Sequence, residues 1–180
     1  VDAETQARTR EFFDKVQKTG ALDEDLRKLV ERGIDLNARD NLNNTALIWT
    51  ARHGYAEVVR ELLVRGADIE ARNNYDNTAL IWAATRGYTE VIQELIAGGV
   101  DIEAKSKDDK TALIWATRQG HIGVIQELLV RGADTETRDD RGRTALLWAA
   151  GRGRIEVVKE LLARGADTEA RDNMGYTALI

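Results

Sequence analysis

The sequence contains no cysteine and no proline, and it has only one methionine, one serine (Ser106) and two histidines. Without cysteine there are no disulfides, thiolate metal ligands or thiol chemistry, so packing must hold the fold together. No run approaches the roughly 18 consecutive apolar residues of a membrane-spanning helix. The charged segment 1–10 also lacks the apolar core of a secretory signal. These absences favour a soluble protein, with an intracellular, cytoplasmic location as the default expectation.

The charge of the chain is nearly balanced. Its 26 Lys and Arg almost offset 31 Asp and Glu, which leaves a net charge of −5. Affinity for nucleic acid depends on a clustered excess of cations, so this balance argues against a nucleic-acid partner. With 43% hydrophobic residues in 180, the chain can still bury a core of its own.

One phrase returns every 33 residues. It reads TALIW from Thr45, Thr78 and Thr111, TALLW from Thr144, and begins again at Thr177. Glycines keep the same step in two series, Gly54, Gly87, Gly120 and Gly153, and Gly66, Gly99, Gly132 and Gly165. A single period held by many independent positions is the signature of a repeat architecture.

Each unit reads as two short helices and an arm. Leu47, Ala51 and Gly54 share one helical face, with Thr45 as the N-terminal cap. A second helix is predicted in EVVRELLVRG from Glu57, closed by Gly66 in the left-handed conformation. The Asn- and Asp-rich segment 67–77 predicts an extended arm with a tight turn.

In these features the chain resembles the ankyrin repeat family, whose 33-residue unit has a TPLHLAA opening, a GH turn, an EVV-LL second helix and a GADVNA ending. The resemblance covers residues 40–180. It implies an all-α repeat solenoid of stacked helix-turn-helix units, with extended arms and β-turns between them. The family's division implies units at 40–72, 73–105, 106–138 and 139–171, the start of a truncated unit at 172–180, and an amino-terminal capping unit at 1–39.

The chain departs from the family pattern in its openings. Where the family has Pro and His, the first unit has Ala46 and Ile48, and the later units follow it. Aliphatic packing should therefore replace the family's buried histidine hydrogen bonds. The family's turn histidine remains only as His121.

The inventory for catalysis is poor. Two histidines, one serine and no cysteine offer few nucleophiles or bases. His53 and His121 lie two units apart, too far to share a metal ion. We therefore expect no enzymatic activity, no metal and no cofactor.

Two stripes of side chains recur once per unit and are the candidate binding residues. All four tryptophans occupy one position of the first helix, with a cation or histidine three or four residues later: Trp49 with Arg52 and His53, Trp82 with Arg86, Trp115 with Arg118, and Trp148 with Arg152. The tryptophans either fill the core or line a half-exposed groove, the concave face in ankyrin-like proteins. The second stripe lies on the arms, at Arg39, Arg72, Lys105, Arg138 and Arg171. From Arg72 onward each cation has an acid two residues earlier, at Glu70, Glu103, Glu136 and Glu169. The stripe is therefore either a solvated charge ladder or a recognition surface.

Tryptophan beside arginine is the chemistry enriched at binding hot spots. We therefore expect a protein-interaction module that binds a protein or peptide, with acidic groups, on the concave groove, as the targeting or scaffold part of a larger protein. The alternative is an engineered or purely structural scaffold without a natural ligand, self-associating through an uncapped end near Thr177. An enzymatic role would need residues outside this window.

Overall fold

The computed structural model describes residues 1–19 and 24–179, and this part of the chain contains ten helices and no strand. The helices come in five pairs: α1 Ala3–Thr19 and α2 Glu24–Glu31, α3 Ala46–His53 and α4 Ala56–Val64, α5 Ala79–Arg86 and α6 Thr89–Ala97, α7 Ala112–Gln119 and α8 Ile122–Val130, and α9 Ala145–Gly151 and α10 Ile155–Ala163. The predicted all-helical repeat solenoid is confirmed. None of the helices in these ranges is long and apolar enough to cross a membrane.

A buried threonine caps the N-terminus of the first helix of each pair from α3 onward. The hydroxyls of Thr45, Thr78, Thr111 and Thr144 each accept a hydrogen bond from the backbone N–H three residues later, at 3.3 to 3.4 Å. The predicted cap at Thr45 is therefore confirmed. Each cap satisfies an N–H group that the helix itself leaves without a partner.

The turn between the paired helices requires glycine for two reasons. Gly87 has φ of +81°, and a Cβ atom built on it would lie 2.6 Å from Nδ1 of His121 in the following unit. The close approach exists because the residue after each turn glycine packs back onto the preceding turn. A side chain here would thus disturb both the backbone and the junction between units.

The helices stack in two rows with the core between them. The first helices α3, α5, α7 and α9 pack on one another in order, and α2, α4, α6, α8 and α10 form the second row. Leu47 and Ile48 in α3 are almost fully buried, as are Leu80 and Ile81 in α5. The predicted aliphatic packing at the positions of the family histidines is present in these units.

The arms are joined to one another by backbone hydrogen bonds. One N–H of each arm donates to a carbonyl of the arm before it: Asn74 to Leu42, Lys107 to Tyr75, Asp140 to Asp108, and Asn173 to Arg141, at 3.0 to 3.2 Å. Since the same bond recurs at every step, successive arms are held in one register. We call this series the arm ladder.

The predicted division into units at 40, 73, 106, 139 and 172 remains a prediction. Residues 20–23 of the predicted capping unit and Ile180 of the last predicted unit lie outside the described residues.

Candidate functional site

The four tryptophans lie on the side of α3, α5, α7 and α9 that borders the arms, and we call this side the tryptophan face. All four are partly buried, and Trp49, Trp82 and Trp148 pack against the core. The rings of these three tryptophans therefore belong in part to the core and in part to the surface, so the core-filling and the half-exposed interpretation each hold for a portion of the ring.

The arms hold the tryptophan rings in place. Three of the four indole N–H groups donate to a side chain nine residues earlier, at the turn of the arm: Trp49 to Asp40 at 2.8 Å, Trp115 to Ser106 at 3.4 Å, and Trp148 to Asp139 at 2.9 Å. In the remaining unit this position is Asn73. Its Oδ1 accepts the backbone N–H groups of Tyr75 and Asn77, and the indole N–H of Trp82 is buried without a hydrogen-bond partner.

The two aspartates at these turns have lowered pKa values. Burial raises the pKa of Asp139, but hydrogen bonds from the backbone N–H of Arg143 and the indole of Trp148 lower it. A bond from the backbone N–H of Arg141 and the charge of Arg143 lower it further, so the net pKa lies below the ordinary value. For Asp40, burial is likewise outweighed by bonds from Asn44 and other donors. Both carboxylates are therefore held ionised where they anchor a tryptophan.

Two arginines are placed between consecutive tryptophans. The guanidinium carbon of Arg52 lies 5.3 Å from the ring centroid of Trp49 and 4.6 Å from that of Trp82. That of Arg118 lies 5.1 Å from Trp115 and 5.4 Å from Trp148. These distances are within the range of cation–π attraction. Both arginines contact the ring of their own helix, as predicted, and also the ring of the next unit.

The last tryptophan is the most crowded. The guanidinium carbon of Arg143 lies 3.7 Å from the Trp148 centroid, and that of Arg152 lies 5.6 Å away. Arg143 also pairs with Asp139 at 3.3 Å. In the preceding unit Lys110, which is buried, lies 5.6 Å from Trp115.

Sequence analysis missed Lys110 and Arg143 as neighbours of the tryptophans. The signal was available, because each immediately precedes a capping threonine, where the earlier units have Asn44 and Asn77. The predicted pair of Trp82 and Arg86 is absent, since Arg86 is exposed and stacks on no ring in the described part of the chain.

The two histidines contact neighbouring rings and backbone. His53 stacks on Trp49 with ring centroids 5.0 Å apart, and its Nδ1 lies 2.8 Å from the Trp49 carbonyl. His121 is partly buried, and its Nε2 lies 3.1 Å from the carbonyl of Thr85 in the preceding unit. His53 therefore belongs to the tryptophan face, whereas His121 joins two units.

The cations of the arm stripe contact backbone carbonyls. Arg72 donates to the carbonyl of Asp76 in its own arm at 3.2 Å and to that of Lys105 in the next arm at 2.6 Å. Arg138 makes the equivalent pair of bonds, to Gly142 and Arg171. Lys105 reaches only the next arm, with Nζ 3.4 Å from the Arg138 carbonyl. These exposed cations thus reinforce the arm ladder.

The recurring acids also act between units. Glu70 accepts the backbone N–H of Asp101 at 2.7 Å, and Glu103 accepts that of Asp134 at 2.9 Å. The solvated-ladder interpretation had related the cations to the acids two residues earlier. In the structure the acids bind backbone N–H groups of the following unit.

No group of three or more metal-ligating side chains occurs among the residues that the structure describes. The tryptophan face brings together aromatic rings and cations from four successive units.

A scan against protein-family models matches the model for ankyrin repeats in three copies, at residues 15–106, 58–139 and 113–180. A search of the curated proteins found no match.

Proposed function

The chain belongs to the ankyrin repeat family, and from that premise we propose that it binds a protein or peptide partner on the tryptophan face, as the concave groove of the stack. Ankyrin repeats generally serve as protein–protein interaction modules, and the family is typically not enzymatic. The side chains of the tryptophan face support this face as the binding surface and acidic groups as its preferred ligands.

The guanidinium groups of Arg52 and Arg118 are the main support for this proposal. Tryptophan rings lie against both guanidinium groups, yet neither arginine donates a hydrogen bond or forms an ion pair within the described residues. Both are partly buried. Their N–H edges are thus held in position without a partner, as a bidentate bond to an incoming carboxylate requires.

This arrangement also lowers the entropic cost of binding. An arginine normally loses much rotamer freedom when it binds, and here the rings restrict it beforehand. An extended peptide with Asp or Glu side chains could bind Arg52 and Arg118 while its apolar groups contact the tryptophans. The arm stripe of Arg72, Lys105 and Arg138 would border the same peptide.

The test is selection of peptides from a random displayed library on the wild-type chain, followed by affinity measurements on two charge-matched variants. One replaces Arg52, Arg86 and Arg118 with Glu, and the control replaces Arg65, Arg131 and Arg164 with Glu on the second helices. Selected peptides should be rich in Asp and Glu, and they should lose at least tenfold in affinity only for the first variant. Equal affinity for both variants, with unchanged circular dichroism, would contradict the proposal.

A second candidate, self-association at the α9–α10 end, is favoured by the exposure of Ile155 and Leu162 there. Light scattering across a concentration series should then show a mass increase that Ile155→Lys removes. A constant monomer mass would exclude this candidate.

A further inference from the structure

The junctions between consecutive tryptophans are not equivalent. Arg52 lies between the first two rings and Arg118 between the last two. In the middle junction, between Trp82 and Trp115, the corresponding residue three after the tryptophan is Thr85, whose hydroxyl donates to the Ile81 carbonyl at 2.7 Å. Among the described residues, no guanidinium lies against either ring of this junction from between them.

A second position at this junction also carries no cation. The residue before the capping threonine is Asn77, where the following units have Lys110 and Arg143, each near the ring of its own unit. Asn77 Oδ1 is buried without a hydrogen-bond partner, as is the indole N–H of Trp82. The unit of Trp82 therefore has no cation at either of these two positions, whereas the other ring of the junction, Trp115, has the Lys110 ammonium 5.6 Å from its centroid.

A cavity of about 260 Å³ lies beside Asn77 and is bordered by both rings of this junction. Its lining includes the rings of Tyr75, Trp82 and Trp115 together with Asn77 and Asp108. Tyr75 is 54% exposed, so one wall stands open to solvent. Lys110 does not line this cavity, and Lys107, which does, is exposed.

We propose that this cavity binds the guanidinium group of an arginine side chain from the partner. The inference rests on the proposed function, and it adds one basic anchor to an otherwise acidic ligand. The inserted group would continue the alternation of ring and guanidinium that Arg52 and Arg118 establish on either side. Asp108, whose Oδ2 also lies 3.2 Å from Nζ of Lys110, would supply the opposing charge.

Guanidinium fits this cavity better than ammonium. It is planar and weakly hydrated, so it leaves water and stacks on aromatic rings more readily than the compact ammonium of lysine. The neighbouring junctions provide two examples within the same chain. Three rings and one carboxylate around a cavity are also the chemistry that binds organic cations elsewhere.

The test uses the four indole N–H signals in a ¹⁵N-labelled protein, titrated with the tripeptide Ac-Gly-Arg-Gly-NH₂. The signals of Trp82 and Trp115 should shift saturably, and that of Trp49 should stay constant. The tripeptide with citrulline in place of arginine is nearly isosteric but uncharged, and it should bind at least tenfold more weakly. Equal shifts with both peptides, or none at Trp82 and Trp115, would overturn the proposal.

A matched pair of variants completes the experiment. Asn77→Arg places the chain's own guanidinium at the wall of the cavity, in the position from which Arg143 lies over Trp148, and should abolish the arginine-dependent shifts. Gln126→Arg adds the same charge at an exposed position on α8 and should leave them unchanged. If Asn77→Arg binds the tripeptide as the wild type does, the cavity is not the site.

The two proposals fail separately. Acidic peptides selected on the tryptophan face should shift the indole signals of Trp49 and Trp148. These two rings contact Arg52 and Arg118 and lie outside the middle junction. If acidic peptides do not shift Trp49 and Trp148 while the arginine tripeptide shifts Trp82 and Trp115, only the acidic groove is contradicted. If the acidic peptides give their shifts and the tripeptide gives none, only the guanidinium site is contradicted.

Discussion

Replacing Asp139 with asparagine removes a charge while keeping the size of the side chain. The Asp139 side chain is completely buried. Its Oδ1 accepts the backbone N–H groups of Arg141 and Arg143, and its Oδ2 accepts from Trp148 at 2.9 Å and Arg143 at 3.3 Å. Asn73 shows what an amide can keep at the same position in another unit. Its Oδ1 retains two backbone bonds, but its tryptophan has no partner.

The expected cost follows from the two bonds to Oδ2. A hydrogen bond to a charged group contributes about 1.5–3 kcal/mol, and a buried donor left without a partner costs a similar amount. Arg143 is partly exposed, so water replaces much of its bond. The loss therefore falls mainly on the Trp148 indole, and Asp139→Asn should lower the free energy of unfolding by roughly 2–3 kcal/mol at pH 7.

The pH dependence provides an independent check. The folded pKa of Asp139 is lowered from its ordinary value of 3.8, so its ionised form stabilises the fold above the unfolded pKa. That stabilisation is lost as the pH falls from just above 3.8 through the lower folded value. The difference between wild type and Asp139→Asn should thus be constant from pH 7 to about 5 and shrink below 4.

Urea unfolding followed by circular dichroism at several pH values would measure this difference. Asp140→Asn is the control, because Asp140 is exposed and lies 3.8 Å from Lys110, which keeps its closer ion pair with Asp108 at 3.2 Å; it should cost under about 1 kcal/mol. A loss for Asp139→Asn no larger than that of the control would refute the reasoning. So would a difference that does not shrink below pH 4.

Two further variants test the junctions between units. Gly87→Ala should destabilise the fold by about 1 kcal/mol or more beyond the effect of Gly66→Ala. Both glycines have left-handed φ, but the new Cβ would meet His121 at position 87 and open space at position 66. Equal unfolding midpoints for the two variants would exclude the contact with His121 as the cause. Lys105→Arg should stabilise the fold by about 0.5–1 kcal/mol, because a guanidinium can bind a carbonyl of its own arm as well as the carbonyl of Arg138. An unchanged or lower thermal midpoint would show that this second hydrogen bond does not stabilise the fold.

The helices and their ends could be predicted from sequence because their determinants are local. Thr45 binds an N–H three residues away, and Gly66 adopts a backbone conformation that few other residues tolerate. The 33-residue period then placed the same elements in every unit. The family resemblance added the stacking of the units.

The contacts of the candidate site could be predicted only in part, because they cross between units. Arg52, three residues after its tryptophan, contacts the ring of the next unit, whereas Arg86, four residues after its own, does not. That difference depends on the spacing and angle of α3, α5 and α7, which no single unit specifies. For the same reason sequence related Arg72 to a nearby acid, although its bonds go to carbonyls in two arms.

The arm ladder gives the stack a polarity. At each of its four steps the later arm donates an N–H to the earlier arm, so all the bonds run in one direction. At a free end of such a stack, one terminus presents donors and the other presents acceptors. Two copies could continue the ladder with this bond only head to tail, an arrangement that closes into a ring or grows into an open filament depending on the rotation at each step. A two-fold dimer would instead oppose donor to donor or acceptor to acceptor, so it cannot repeat the ladder bond across its interface.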